Sequence, residues 1–242
     1  MRVNKVRTLV ISDIHGCLRH FTGLLEAAGY NADRDRLILL GDYVSRGPDS
    51  KETVELVKRL VEERGAIALQ GNHDYRFVRV MENRADESEI ERFFRFGGIE
   101  TLQSYCGLDT IAPERLDRYR SYVTREYASH LRFLKSLPYY YEDERHVFVH
   151  AGLRPSKGHP DGQDIRDLLT IREDFWMHRT NLDKIVVFGH TPAREIHGSD
   201  DIWFGGDKIG IDGGCVFGGQ LNGLELTGGE VAGSYKILSG SA

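Results

Sequence analysis

The chain has 242 residues, 40% of them hydrophobic, enough to bury a full core at the size of a single α/β domain. Its 32 lysines and arginines against 37 acidic residues leave a net charge of −5, which argues against a nucleic-acid polymer or an anionic membrane as partner and makes any phosphate recognition local. Only Cys17, Cys106 and Cys215 carry thiols, with no CxxC pair, so neither a disulfide framework nor a thiolate zinc site is expected, and a reducing compartment fits.

The opening MRVNKVRTLVISD has an apolar run shorter than a signal peptide or membrane span requires, and the chain reads as cytoplasmic. Val6 to Ile11 predicts a buried strand, and CLRHFTGLLEAAG after it carries Leu18, Phe21, Leu24 and Leu25 at helical spacing. NADRDRLILLGD superficially offers alternating calcium-loop carboxylates, but Arg36 stands where the turn glycine should be and the second half is an apolar strand, so Asp33 and Asp35 are read as a solvated turn. Leu37 to Leu40 is a second strand and leads into GDYVSRG; a helix with Val54, Val57, Leu60 and Val61 on one side follows Pro48. AIALQ, ending at GNHD, is the third strand. This alternation predicts an α/β fold with a largely parallel first sheet. Residues 75–137 are charged and helical in pattern, an insertion or cap within one domain spanning 1–242. From Tyr139 onward, YYYE, HVFVH, KIVVFGH, DIWF, KIGID, LNGLEL and EVAGSYKIL are short strand-like runs that predict a second sheet.

The strands end in a recurring chemistry. Asp13 and His15 lie in SDIHG, Asp42 in GDYVSRG, Asn72 and His73 in GNHD, His150 in HAG and His190 in GHTP, each beside glycine. Carboxyl ends of strands are where layered α/β proteins bind ligands, and glycine lets backbone turn sharply or approach closely. A lone histidine is most often a hydrogen-bonded core imidazole. Five strand ends carrying oxygen and imidazole donors without thiolate instead fit divalent manganese, iron or zinc.

SDIHG, GDYVSRG, GNHD, HAG and GHT, in that order, resemble the signature of calcineurin-like metallophosphoesterases, in particular the phosphoprotein phosphatase branch with its bacterial members. The similarity runs from about Thr8 to Leu226. It implies a four-layered αββα sandwich with two sheets packed between helices, and two divalent metal ions, most readily manganese. By motif position the resemblance implies that Asp13 and His15 bind the first metal, Asp42 bridges both, and Asn72, His150 and His190 complete the second. A bridging hydroxide would attack phosphorus and His73 would protonate the leaving oxygen. Arg46 would grip phosphoryl oxygens in a bidentate fork, with Arg172 in IREDF as a second arginine, exposed on a helix in the plainer reading. Asp74 either orients His73 or contacts Arg46.

One departure stands out. The branch usually carries aspartate where this chain has Ser45, and that aspartate holds the catalytic histidine. Symmetrical diadenosine tetraphosphate hydrolases also lack it and also read GNHD; their leaving group is acidic and needs less help. FRFGGIETLQSY, LKSLPYYYEDERHVFVHAG and IDGGCVFGGQLNGLEL look more like bacterial Ser/Thr-type phosphatases. The expectation is therefore a Ser/Thr-type protein phosphatase acting on phosphorylated protein, with a symmetrical dinucleoside polyphosphate hydrolase as the alternative. A metal- or phosphate-binding module without turnover is the third reading.

Overall fold

The computed structural model describes residues 6–241. In spatial order the first sheet is Glu230–Leu238, Gln220–Thr227, Arg7–Ile11, Asp35–Leu39 and Ile67–Ala68, and the second Tyr140–Glu142, His146–Val149, Ile185–Phe188, Lys208–Gly210 and Trp203–Phe204. In the first, β1 (Arg7–Ile11), β2 (Asp35–Leu39) and β3 (Ile67–Ala68) are parallel, joined by α1 (Leu18–Ala27) and α2 (Ser50–Arg64). Helices α3 (Asn72–Met81), α4 (Glu87–Phe93), α5 (Ile99–Cys106), α6 (Leu116–Glu126) and α7 (Ala128–Ser136) follow. Next come β4 (Tyr140–Glu142), β5 (His146–Val149), α8 (Ile165–Thr170), α9 (Glu173–Trp176), β6 (Ile185–Phe188), α10 (Ala193–His197), β7 (Trp203–Phe204) and β8 (Lys208–Gly210). β9 (Gln220–Thr227) and β10 (Glu230–Leu238) complete the order.

Strand alternation builds the layers. In β1 and β2, Leu9, Ile11, Leu37 and Leu39 point to the helical side, where they meet Phe21, Leu24, Val54, Val57 and Phe77. Their neighbours Val10 and Ile38 point the other way, onto Phe148, Val187 and Ile209 of the second sheet. The opposite face of that sheet offers Val147, Val149, Val186 and Phe188 to Leu168 and Phe175. Residues two apart share a face, so each sheet buries both faces, and the order is helix, sheet, sheet, helix. Each fully buried Leu, Val or Phe contributes about 1.5–3 kcal/mol of transfer free energy to this arrangement.

Two sequence expectations change. The strand-like runs after Tyr139 do not all form the second sheet: β9 pairs antiparallel with β1, and β10 with β9, so the first sheet is mixed rather than largely parallel. The reason lies in β9 itself. Leu224 and Leu226 enter the inter-sheet layer while Leu221 joins the helical side, so β9 is an interior strand buried on both faces. Asp35 is likewise no solvated turn residue. It opens β2 opposite Arg7 of β1 and receives the Arg7 guanidinium through Nε at 3.1 Å and Nη2 at 2.5 Å.

All three cysteines pack in or against the helical-side core; Cys17 is the N-cap residue of α1, and with His20 it meets Cys215 from the turn before β9. Among the described residues, no helix is long and apolar enough to cross a membrane.

Candidate metal centre and phosphoryl site

The loops after β1 and β2 are zipped together by their backbones. Asp13 N–H donates to Gly41 O at 3.2 Å, His15 N–H to Asp42 O at 2.8 Å, Gly16 N–H to Tyr43 O at 2.9 Å and Gly47 N–H to His15 O at 3.0 Å. This pairing holds a strained path. Among the described residues eight non-glycines have positive φ; five of them lie in these two loops, Asp13 (51°), His15 (47°), Asp42 (58°), Ser45 (80°) and Arg46 (72°), and a sixth, His190 (64°), follows β6. Such conformations cost about 1–3 kcal/mol each and persist where the surroundings over-determine them, typically at functional sites. Glycine is needed between them: a Cβ at Gly71 would collide with the Asp42 carboxylate.

Asp42 is the centre of the constellation. Its Oδ1 accepts from His73 N–H at 2.9 Å, at the first turn of α3. Its Oδ2 lies 3.4 Å from His15 Nε2, 3.6 Å from His150 Nε2 and 4.0 Å from His73 Nε2. His15 Nδ1 bonds to Val44 O at 2.9 Å and His150 Nδ1 to Leu40 O at 2.8 Å. A carbonyl can only accept, so both Nδ1 atoms carry the proton, and in the neutral ring the Nε2 lone pair is the free one. His150 Nε2 and Asn72 Oδ1 then face each other at 3.0 Å, an arrangement that needs a proton or a cation between two acceptors. His190 closes the same side, and its N–H donates to Asp13 Oδ2 at 2.9 Å. Two donor triads, His15–Asp42–His73 and Asp42–His150–His190, share the Asp42 carboxylate. These observations fit a pair of divalent cations with oxygen and nitrogen ligands and one shared carboxylate.

The electrostatics of three of the histidines agree with that fit. Burial, followed by the Arg46 charge, holds His15 well below the usual imidazole range. Burial, then His15 and Arg46, does the same to His73, and burial, then His150 and Arg172, to His190. Neutral imidazole is the form that ligates metal. Burial works against a charge on His150, but Asp42 and Asp13 outweigh it and raise its pKa. Burial, opposed by His150, raises Asp42.

Asp74 has neither expected role. Its carboxylate accepts from the N–H groups of Asp42 (2.8 Å), Tyr43 (2.9 Å), Val44 (3.3 Å) and Gly71 (3.0 Å), tying the loop after β2 to the start of α3. Those four amides occupy it, and Asp42 is the carboxylate within 4.0 Å of His73 Nε2 among the described residues. Burial, with Asp42 adding to it, pushes Asp74 up to about 7 against the pull of its amide donors. Ser45 is buried, and its N–H donates to Ser50 Oγ at 3.1 Å.

The mouth of the cleft carries cations. Arg46 reaches His15 Nε2 with its Nη1, and its guanidinium carbon lies 4.8 Å from the Phe217 ring centroid. Its backbone leans on the kinked helical path between α4 and α5, where Gly97 at φ 103° accepts from Arg46 N–H at 3.4 Å. Arg172 precedes α9 rather than lying on a helix face, donates to Glu195 Oε2 at 2.9 Å, and lines the same cleft.

Sequence reasoning missed four lining residues, Pro192, Glu195, Asp212 and Phe217. Asp212 had the same signal as the others, an acidic residue beside glycine at the end of the apolar run KIGI. It is buried, accepts from Gly214 N–H at 2.8 Å, and burial with Asp13 nearby raises its pKa well above the carboxylate range.

The calcineurin-like phosphoesterase family model matches residues 6–210. The bis(5'-nucleosyl)-tetraphosphatase PrpE (asymmetrical) of Geobacillus thermodenitrificans is 30% identical over 243 residues, covering 89% of this chain and 88% of its own. Its namesake from Anoxybacillus flavithermus is 28% identical over 245 residues, with the same coverage. Among solved structures, a candidate diadenosine tetraphosphatase superposes with a TM-score of 0.64 at 24% identity, covering 98% of this chain and 95% of that one. A protein serine/threonine phosphatase from Saccharomyces cerevisiae gives 0.58 at 14% identity, covering 98% and 80%. At such identities these two show the shared fold alone, so the expected kinship to Ser/Thr phosphatases rests on architecture, while the sequence relatives carry the tetraphosphatase name. The αββα layers, the family match over most of the chain and the oxygen–nitrogen donor set agree: this chain belongs to the calcineurin-like phosphoesterase family and is a metal-dependent phosphoric ester hydrolase.

Proposed function

We propose that this protein hydrolyses bis(5'-nucleosyl) tetraphosphates at a two-metal centre, with manganese as its working metal. The observation that carries the chemistry is the convergence of His15, His73 and His150 on one oxygen of Asp42. Asp13, His15 and Asp42 would hold one cation, and Asp42, Asn72, His150 and His190 the other. Bound there, the ions would supply a nucleophilic water and positive charge for the phosphoryl oxygens.

The chain's own groups do the rest. Arg46 offers a planar fork to two phosphoryl oxygens, and Arg172 faces the same cleft. Asp74 pins the loops that aim Asp42 and His73. His73, kept neutral by burial and by the charge of Arg46, would offer the leaving oxygen the N–H of a neutral ring rather than an imidazolium, help enough for an acidic leaving group.

The substrate follows from two lines of support. Relatives at 28–30% identity over nearly the whole chain carry the tetraphosphatase name. In addition, His73 has Ser45 where the protein phosphatase branch supplies an aspartate, and Asp74 is committed to amides. An imidazole without its own anionic partner suits a phosphate leaving group better than a serine alkoxide. We therefore place dinucleoside polyphosphate ahead of phosphoprotein. The cut would be asymmetrical, as in the relatives' names, rather than the symmetrical cut that the sequence offered as its alternative. The free cysteines fit a cytoplasmic setting.

The test is turnover of diadenosine tetraphosphate, phosphoserine peptide and phosphotyrosine peptide by the manganese-loaded protein, with products separated by chromatography. ATP and AMP in equal amounts support the proposal; two ADP restore the symmetrical reading. A higher kcat/KM on phosphoserine peptide would return the protein to the Ser/Thr phosphatases, and failure to turn over any of the three would favour a binding module.

A further inference from the structure

Resting on that reading of the substrate, we infer that Phe217 is a platform on which one nucleobase stacks, so that the turn before β9 forms a base subsite beside the phosphoryl site. Phe217 ends a single tight turn, Cys215–Phe217, between Gly214 at φ 64° and Gly218 at φ 83°. The turn is held at its base, with Phe217 N–H donating to Gly214 O at 2.9 Å, Gly219 N–H to Gly214 O at 3.0 Å and Gly214 N–H to Asp212 Oδ1 at 2.8 Å. On this support Phe217 is 55% exposed; Phe204 is as exposed but does not line the cleft, and Phe21, Phe77, Phe148, Phe175 and Phe188 are wholly buried.

Its position gives the exposure a use. Phe217 lines the same cleft as Asp42, His73, Arg46 and Arg172. Arg46 approaches the ring at 4.8 Å and covers part of it, and the remainder is open to solvent. An exposed aromatic surface next to a phosphate-gripping guanidinium matches a ligand that joins a planar, apolar ring to a phosphate chain. A nucleotide is that ligand. Stacking on an aromatic side chain is tolerant of base identity, because every base has a π-face, so the subsite would accept a range of purine nucleotides. Phosphoserine has no ring to place there.

Phe217 could instead serve only to hold Arg46, and the two roles separate experimentally. Competitive inhibition constants for AMP and for inorganic phosphate are measured on the manganese-loaded protein and on Phe217→Ala, Phe217→Leu and Phe217→Trp, with p-nitrophenyl phosphate as reporter substrate. Base stacking predicts that AMP binds more tightly than phosphate in the parent. It also predicts that Phe217→Ala and Phe217→Leu weaken AMP by about tenfold, within the range of one base–aromatic contact, with phosphate little changed. Phe217→Trp should retain AMP affinity. A parallel loss for AMP and phosphate would make Phe217 a support for Arg46, and no loss for either would remove it from the site; each overturns the inference. The comparison is independent of diadenosine tetraphosphate turnover, so the proposed substrate can fail while the base subsite stands, or the reverse.

Discussion

At the scale of single residues, the proposed site gives Asp42 and Arg46 different tasks within one seven-residue loop, metal for the first and phosphate for the second. Asp42→Asn keeps the shape and the Oδ1 bond to His73 N–H but removes the charge that two cations would share. Metal content should fall below two per chain and turnover with it; two retained metals by elemental analysis, with near-parental kcat, would show that the bridge lies elsewhere. Arg46→Lys keeps a positive charge and loses the fork, so kcat/KM should drop by the equivalent of about 1–3 kcal/mol while metal content holds. An unchanged kcat/KM would leave Arg46 a scaffold residue. Much of this was legible, because apolar runs ending in Asp, Asn or His beside glycine mark strand ends in a layered fold. What was not legible is the partner of each side chain. Asp74 adjoins His73 in sequence, yet on α3 its carboxylate turns back to the amides after β2, a contact between residues about 30 apart.

Elements depend on such contacts in ways that can be measured. Asp74→Ala would leave the N–H groups of Gly71, Asp42, Tyr43 and Val44 without their shared acceptor in a buried loop, and each such orphan costs about 1–3 kcal/mol. The expectation is a loss of at least about 3 kcal/mol in urea unfolding together with a fall in kcat; an unaltered midpoint would mean that the loop is held by its pairing to SDIHG alone. The β1–β2 edge offers a pH test. Burial raises the Asp35 carboxyl, but the Arg7 hydrogen bonds, the Asn31 N–H and the Arg7 charge together outweigh it and set the pKa below the usual value. A carboxylate depressed in the folded state stabilises above its unfolded pKa, near 3.9, and loses that contribution as pH falls through the folded pKa. Asp35→Asn should therefore cost stability at pH 7 and progressively less below about pH 4; a cost that stayed constant down to pH 2 would exclude the charge as its origin. The same edge shows what periodicity misses. RTLVI and LNGLEL each announce a strand, but nothing within either says that they pair, since the pairing is decided by which faces β9 can bury.

Across the whole molecule, the candidate ligands come from both sheets. Asp13, His15, Asp42 and Asn72 follow strands of the first, and His150 and His190 follow β5 and β6 of the second. Between the sheets lies an apolar layer, Val10, Ile38 and Leu224 against Phe148, Val187 and Ile209, which resists separation, while a few hydrogen bonds at the site, such as His150 Nδ1–H to Leu40 O at 2.8 Å and His190 N–H to Asp13 Oδ2 at 2.9 Å, tie the strand ends of one sheet to those of the other. Metal ions bound by donors from both sides would add to those bonds, and because unfolded chain scatters the donors, binding would stabilise the folded state by RT ln(1 + [L]/Kd). At a metal concentration one hundred times Kd this is about 2.7 kcal/mol per site. For a chain of this size each kcal/mol raises Tm by about 2–4 °C, so manganese should raise the melting temperature by about 5–10 °C per occupied site over protein treated with chelator. His150→Ala and Asp13→Ala remove donors from opposite sheets, and each should abolish a different part of the rise. A melting temperature that does not change with manganese in the parent would mean that manganese does not link the two sheets.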